Sequence, residues 1–225
     1  MGTNNGPVGQ GLENVVIRVD IYDSKSYSGT GNTINSVIKS QSLSSSAIGY
    51  TVVGSEKALV FAGGGGAGFV TSLSNTGVSG ATSRTLSCWV KFGSKSSQGC
   101  VATGANGSGT GMAIATSSTV FLLAYGNSGT VTTTTYNQNQ WYNVNYVSEL
   151  ITGNTHRIKL YVNGGIAHSA VVTGINLTNA PLRIGMDMSG FGMSGQIARV
   201  NFYDKALSDK EILKTYVNYR SRFGL

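Results

Sequence analysis

The acid–base and nucleophilic chemistry of this chain has to come from nine carboxylates, two histidines and two cysteines. The carboxylates are Glu13, Asp20, Asp23, Glu56, Glu149, Asp187, Asp204, Asp209 and Glu211. Glycosidic hydrolysis takes two such groups facing each other across a cleft, one to protonate the leaving oxygen and one to act as base or nucleophile. The spacing does not offer that pair. Asp209 and Glu211 open a C-terminal helical pattern, where the helix dipole favours anions, and Asp20 and Asp23 leave a strand near Lys25. His156 and His168 fall on a predicted hairpin at positions that read as solvent-facing, so a serine–histidine–carboxylate triad would need an acid from afar. The residues therefore point to a non-enzyme, with a glycoside hydrolase as the weakest of three readings.

Phosphate and metal chemistry fare no better. Gly63 to Gly68 contains a literal G-x-G-x-x-G, but Phe69-Val70-Thr71-Ser72 follows as a strand-like run, with no helix N-terminus to hold a phosphate. Gly104 to Gly111 is Gly-rich and lacks the lysine of a P-loop. No His/Cys spacing suits zinc, and a weak calcium site around Asp187, completed by carbonyls and Asn side chains, is the one metal reading left. Cys88 and Cys100 read as two small buried apolar side chains in preference to a bridge.

Sugar binding needs only an aromatic platform and a few polar groups on loops, and here the composition is generous. Eleven Tyr, many Asn and the loops at 105–111, 125–129, 136–140 and 187–193 supply it. The candidate glycan-contacting residues are Tyr125, Asn127, Asn137, Asp187 and Phe191. The tyrosines otherwise read as half-buried strand residues with hydroxyls in water, and Trp89 and Trp141 as core.

The elements that must carry these loops are strands. The 225 residues, with 32 Gly, two Pro and 11% charged side chains, suit one domain of short strands and turns. Residues 1–13 lack any period and are expected to form a flexible arm, leaving 14–225 as the domain. Val15 to Tyr22 alternates as a first strand, and others are predicted at 58–61, 85–92, 98–103, 111–116, 119–125, 130–136, 141–148, 156–162, 166–173, 181–185 and 195–203. Asn163-Gly164 demands a type I′ turn. Ser208 with Glu211 forms a capping box ahead of the one convincing helix. The fold class expected is all-β: an antiparallel sandwich of twelve to fourteen strands with a short C-terminal helix. The net charge of +7 comes from scattered cations with no aromatic interleaving, which argues against nucleic acid as partner. No apolar run is long enough for membrane insertion, and the first residues have no secretory pattern.

Four segments resemble the concanavalin A-like, laminin-G-like jelly-roll domains. They are Ala58-Leu59-Val60-Phe61 with Gly68-Phe69-Val70, Thr85-Leu86-Ser87-Cys88-Trp89-Val90-Lys91, and Gln140-Trp141-Tyr142-Asn143-Val144 leading to Lys159-Leu160-Tyr161-Val162-Asn163-Gly164. The fourth is the closing run from Gly195 through Tyr203-Asp204-Lys205-Ala206-Leu207-Ser208 to Glu211-Ile212. Ala62 stands where the family places a carboxylate. The run Asp23 to Gly31 and the end Tyr219 to Leu225 are similar to single-domain versions in particles of tailed bacteriophages. The resemblance implies a jelly roll located in the virion, as a head decoration or a tail or fibre surface protein. Its implied partners are other virion proteins and a host surface glycan, with a homo-oligomer at a fibre tip or a monomer on a lattice. A free-standing lectin-like module is the alternative.

Overall fold

The computed structural model describes residues 14–38, 42–44, 57–64, 69–71 and 76–225, so the expected arm at 1–13 lies outside the described residues. Among the described residues fifteen strands build two antiparallel sheets, the architecture expected from the alternating pattern, with one or more strands beyond the expected number. The first sheet joins β1 (Val15–Asp20), β4 (Leu59–Ala62), β6 (Arg84–Phe92), β11 (Trp141–Thr152), β12 (Thr155–Val162), β13 (Gly165–Val172) and β15 (Ser194–Tyr203). Its order is β1-β15-β6-β11-β12-β13, with β4 also beside β15. The second sheet joins β2 (Thr33–Asn35), β3 (Ser42–Ser44), β5 (Phe69–Thr71), β7 (Gln98–Gly104), β8 (Gly111–Ser117), β9 (Val120–Tyr125), β10 (Ser128–Thr135) and β14 (Arg183–Ile184), in the order β10-β9-β8-β7-β14-β5-β3-β2. The short strands β2 and β3 fall in the Ser/Asn/Gly-rich stretch that carries no alternation to reveal them.

Alternation along each strand decides what lies between the sheets. Leu86, Cys88, Val90 and Phe92 of β6 meet Met112, Ile114, Phe121 and Leu123 of the second sheet in one buried cluster. This face excludes water and supplies the main folding force. The predicted hairpin forms as expected: Asn163 and Gly164 take φ of 51° and 82°, and Val162 pairs with Gly165.

The outer face of the first sheet is covered in turn. Helix α1 (Asp209–Tyr219) starts at the Ser208–Glu211 capping box and continues into a 3₁₀ turn, Arg220–Phe223. Beneath it lie Val147, Tyr161, Tyr203 and Leu207 with Ile212, and Trp89 and Trp141 with Tyr216, Tyr219 and Phe223. Both tryptophans are core, as expected. The tyrosines correct their expectation. Tyr136, Tyr146 and Tyr161 are fully buried, and the Tyr136 hydroxyl donates to the Ser94 and Ser118 carbonyls at 3.1 and 2.9 Å. The expected water contact is replaced by main-chain acceptors at Tyr136 and by the Asp209 carboxylate at Tyr161.

His156 is a second correction: it is buried between the sheets, with Nδ1 2.9 Å from Ser148 Oγ. It shares the parity of Ile158 and Leu160, which places it on the apolar face. Burial, reinforced by the Arg84 charge, pulls its pKa down to about 4. The unfolded chain therefore takes up a proton near pH 6.5 that the folded chain refuses until about pH 4. Folding stability is full above pH 6.5 and falls by about 3 kcal/mol as the pH drops through that window. Urea titrations at a series of pH values check this, and His156→Gln is expected to flatten the dependence.

Cys88 of β6 and Cys100 of β7 are free, buried and 3.8 Å apart at sulfur. Both line the core, as the reading of two buried apolar side chains anticipates.

Candidate ligand-binding surface

Three of the loops marked by the sequence converge. The 105–110 loop meets the 125–128 turn through Gly109 N–H to the Tyr125 carbonyl at 2.8 Å and a Ser108–Ser128 hydroxyl contact at 3.0 Å. Asp187 closes the third loop, its Oδ1 accepting from the Ser189 and Phe191 N–H groups at 2.8 and 2.9 Å. That loop lies across the outer face of the second sheet. A Cβ on Gly99 would stand 2.1 Å from Asp187 N, and one on Gly111 would stand 2.9 Å from Met188 Cε and 3.1 Å from Gly126 N. Only glycine at both strand positions lets the loop and the 125–128 turn come this close.

Of the five candidate residues, the fold thus places Tyr125, Asn127, Asp187 and Phe191 on neighbouring loops. Tyr125 packs partly against the inter-sheet core, Asn127 is exposed, and Phe191 is 64% exposed on the loop that Asp187 staples. Asn137 stands apart, at the end of the sandwich where Val120 pairs with Thr135. Its N–H donates to the Tyr142 hydroxyl at 2.8 Å, and its Nδ2 donates to Gln140 Oε1 at 3.2 Å. Asp187 serves its own loop, and no group of three or more His, Cys, Asp or Glu among the described residues could hold a metal ion.

A second feature has no counterpart in the sequence reading. On the first sheet, an open cleft of about 210 Å³ runs between β4, β6 and β15. Val60 and Phe61 form its apolar side, and Lys91, Asn139, Ser194 and Gln196 its polar side. Lys91 Nζ lies 5.2 Å from the centre of the Trp141 ring, tying the cleft to the aromatic layer beside it. Gln196 Oε1 is buried without a hydrogen-bond partner. The available signal was parity. Lys91 and Gln196 sit opposite each other on β6 and β15, and Val60 sits opposite Gln196 on β4.

Most acids of the described residues are engaged in structure. Asp20 Oδ2 lies 3.4–3.8 Å from Arg18, Arg199 and Arg222. Glu149 pairs with Lys159 at 3.1 Å, and Asp209 accepts from the Tyr161 hydroxyl. Burial pushes the Glu211 carboxyl up, but hydrogen bonds from Lys205 and Ser208 outweigh it and hold the group below its ordinary value. Burial, helped by Asp209, pushes the Tyr161 phenol up, so it stays a neutral donor.

These sheets and loops belong to a known class. The model of the concanavalin A-like lectin/glucanases superfamily matches residues 63–213, and the chain belongs to that family. Among solved structures, Trypanosoma rangeli sialidase is similar with a TM-score of 0.65 and 16% identity over 93% of this chain. The chain spans about a third of the sialidase, covering 33% of it. The binding domain of Paraclostridial Mosquitocidal Protein 1 gives a TM-score of 0.65 at 16% identity, covering 92% of this chain and 52% of that one. Domain 4 of an extracellular arabinanase from Geobacillus stearothermophilus, solved with arabinotriose, gives 0.59 at 18% identity, covering 89% of this chain and 97% of that one. These likenesses establish the fold. No curated protein sequence matches the chain.

Proposed function

We propose that this chain is a non-enzymatic glycan-binding protein displayed on the head or tail of a tailed-bacteriophage particle. The observation that carries the binding reading is the cleft at Lys91 and Gln196, where a buried acceptor lacks a partner beside mixed polar and apolar walls. That combination suits a sugar, which presents hydroxyl donors on its rim and C–H groups on its faces. Phe191, exposed on a stapled loop, offers a separate platform of the stacking kind. The engagement of Asp20, Glu149, Asp187, Asp209 and Glu211 in structural contacts supports a non-catalytic role. The virion placement is supported by the resemblance of residues 23–31 and 219–225 to phage-particle domains.

A glycan array with the intact protein tests the binding step. Reproducible hits that weaken at least tenfold in Gln196→Ala place the sugar at the cleft, and the same loss in Phe191→Ala places it on the loop. Absence of any hit overturns glycan binding. Peptide mass mapping of purified particles tests the location, and absence of the chain from them leaves the free lectin-like module in its place.

A further inference from the structure

We propose that Cys88 and Cys100 are a latent disulfide, which locks the two sheets together when the chain meets a small-molecule disulfide as oxidant. Both thiols are free in the structure, and their sulfurs lie 3.8 Å apart. A bridge holds its sulfurs roughly 2.05 Å apart, so closure takes an approach of under about 2 Å shared between two side chains. The chain has two cysteines, so a bridge within one molecule joins these. Each sits on an inner strand: β6 runs between β15 and β11, and β7 between β14 and β8.

A backbone irregularity aims one of the pair. Gly99 sits opposite Ala115 and Val101 opposite Ile114, so Cys100 is the extra residue of a bulge in β7. On a regular strand Cys100 and Val101 would face opposite sides of the sheet. Here both are fully buried in the inter-sheet cluster that also holds Cys88. A bulge re-aims a side chain, and this one turns the Cys100 sulfur across the sandwich onto Cys88. The main chain is pinned on both sides. Gly185 N–H donates to the Cys100 carbonyl at 2.7 Å, and Cys88 sits opposite Val144 on one neighbouring strand and Val200 on the other.

Because both thiols are buried, exchange begins when the layers part. One protein thiolate attacks the oxidant, breaking its S–S bond, forming a mixed disulfide and releasing a small thiolate. The second protein thiolate attacks the first protein sulfur and expels the other half of the oxidant. Two protein thiols are oxidised, one small disulfide is reduced to two thiols, and the two protons lost by the protein end on them. Reclosure then seals the bridge in the core, whereas a reducing compartment leaves the pair open.

Incubating the folded chain with oxidised glutathione, in urea below the unfolding transition to speed the opening, tests the lock. Intact mass read under denaturing conditions is expected to show the loss of two hydrogens and no retained glutathione. The oxidised chain, returned to plain buffer, is expected to melt roughly 5–10 °C above the same sample kept in reductant, because the bridge restricts the unfolded chain. That comparison needs no variant. Cys100→Ala is expected to lose both the mass change and the rise. Two thiols still free after the incubation, a stable mixed disulfide, a bridge between two chains, or a bridged chain that melts no higher than the reduced one overturns the proposal.

Discussion

Replacing Asp20 with alanine is expected to lower folding stability by about 3–5 kcal/mol, read as a shift in the urea midpoint. Asp20 is buried at the end of β1 and is the common counter-ion of three guanidiniums: Arg18 on its own strand, Arg199 on β15 and Arg222 in the 3₁₀ turn. Arg199 is itself buried under the Tyr219 ring, 3.6 Å from its centre, and Arg222 lies 4.8 Å from the same ring. Without the carboxylate, three like charges face one another, and Arg199 has no water to turn to. Asp20→Asn separates the charge from the hydrogen bonds, since an amide still accepts from Tyr22 N–H as Oδ1 does at 3.2 Å. A loss below about 1 kcal/mol in Asp20→Ala would mean that the arginines hydrate freely, as exposed pairs do.

Trp89→Ala is expected to cost about 3–5 kcal/mol and to loosen the chain end first. The Trp89 ring is 2% exposed and is stacked between the C-terminal segment and the sheet. Its ring lies 4.1 Å from that of Phe223 at 13° and 5.9 Å from that of Tyr216 at 16°. Phe223 also leans on Trp141 at 4.8 Å. Truncating Trp89 removes the surface on which residues 216–223 rest, so hydrogen exchange should accelerate there before it does in β6 or β11. The two losses are not additive, because Arg222 and Phe223 belong to one turn and both substitutions release it.

Period-two alternation made the strands of the first sheet legible in the sequence, and Ser208 with Glu211 marked the helix start. What escaped depended on what a face is packed against. Tyr161 sits on the same side of β12 as Arg157 and Lys159 and so looked wet, yet α1 lies over it and Asp209 accepts its hydroxyl. No local pattern in residues 155–162 says that a helix fifty residues later will cover that side. His156 is the opposite case, because its parity with Ile158 and Leu160 was present in the sequence and the polar type of the residue outweighed it. The loops of the candidate surface were marked by composition. Their convergence depends on Gly99 and Gly111, whose missing side chains signal close approach only once the opposing loop is placed. The cleft at Gln196 is assembled from three strands distant in sequence, so its signal lies in register.

The thiols of Cys88 and Cys100 offer a clock for the opening of the sandwich. One sits on each sheet, 3.8 Å from the other, and they are the two cysteines of the chain. Burial raises the Cys100 thiol well above its usual range, so the thiolate that reacts with alkylating reagents is scarce while the core is closed. Modification of either sulfur therefore has to wait until β6 and β7 part, and the pace of labelling in native buffer times how often the two layers breathe.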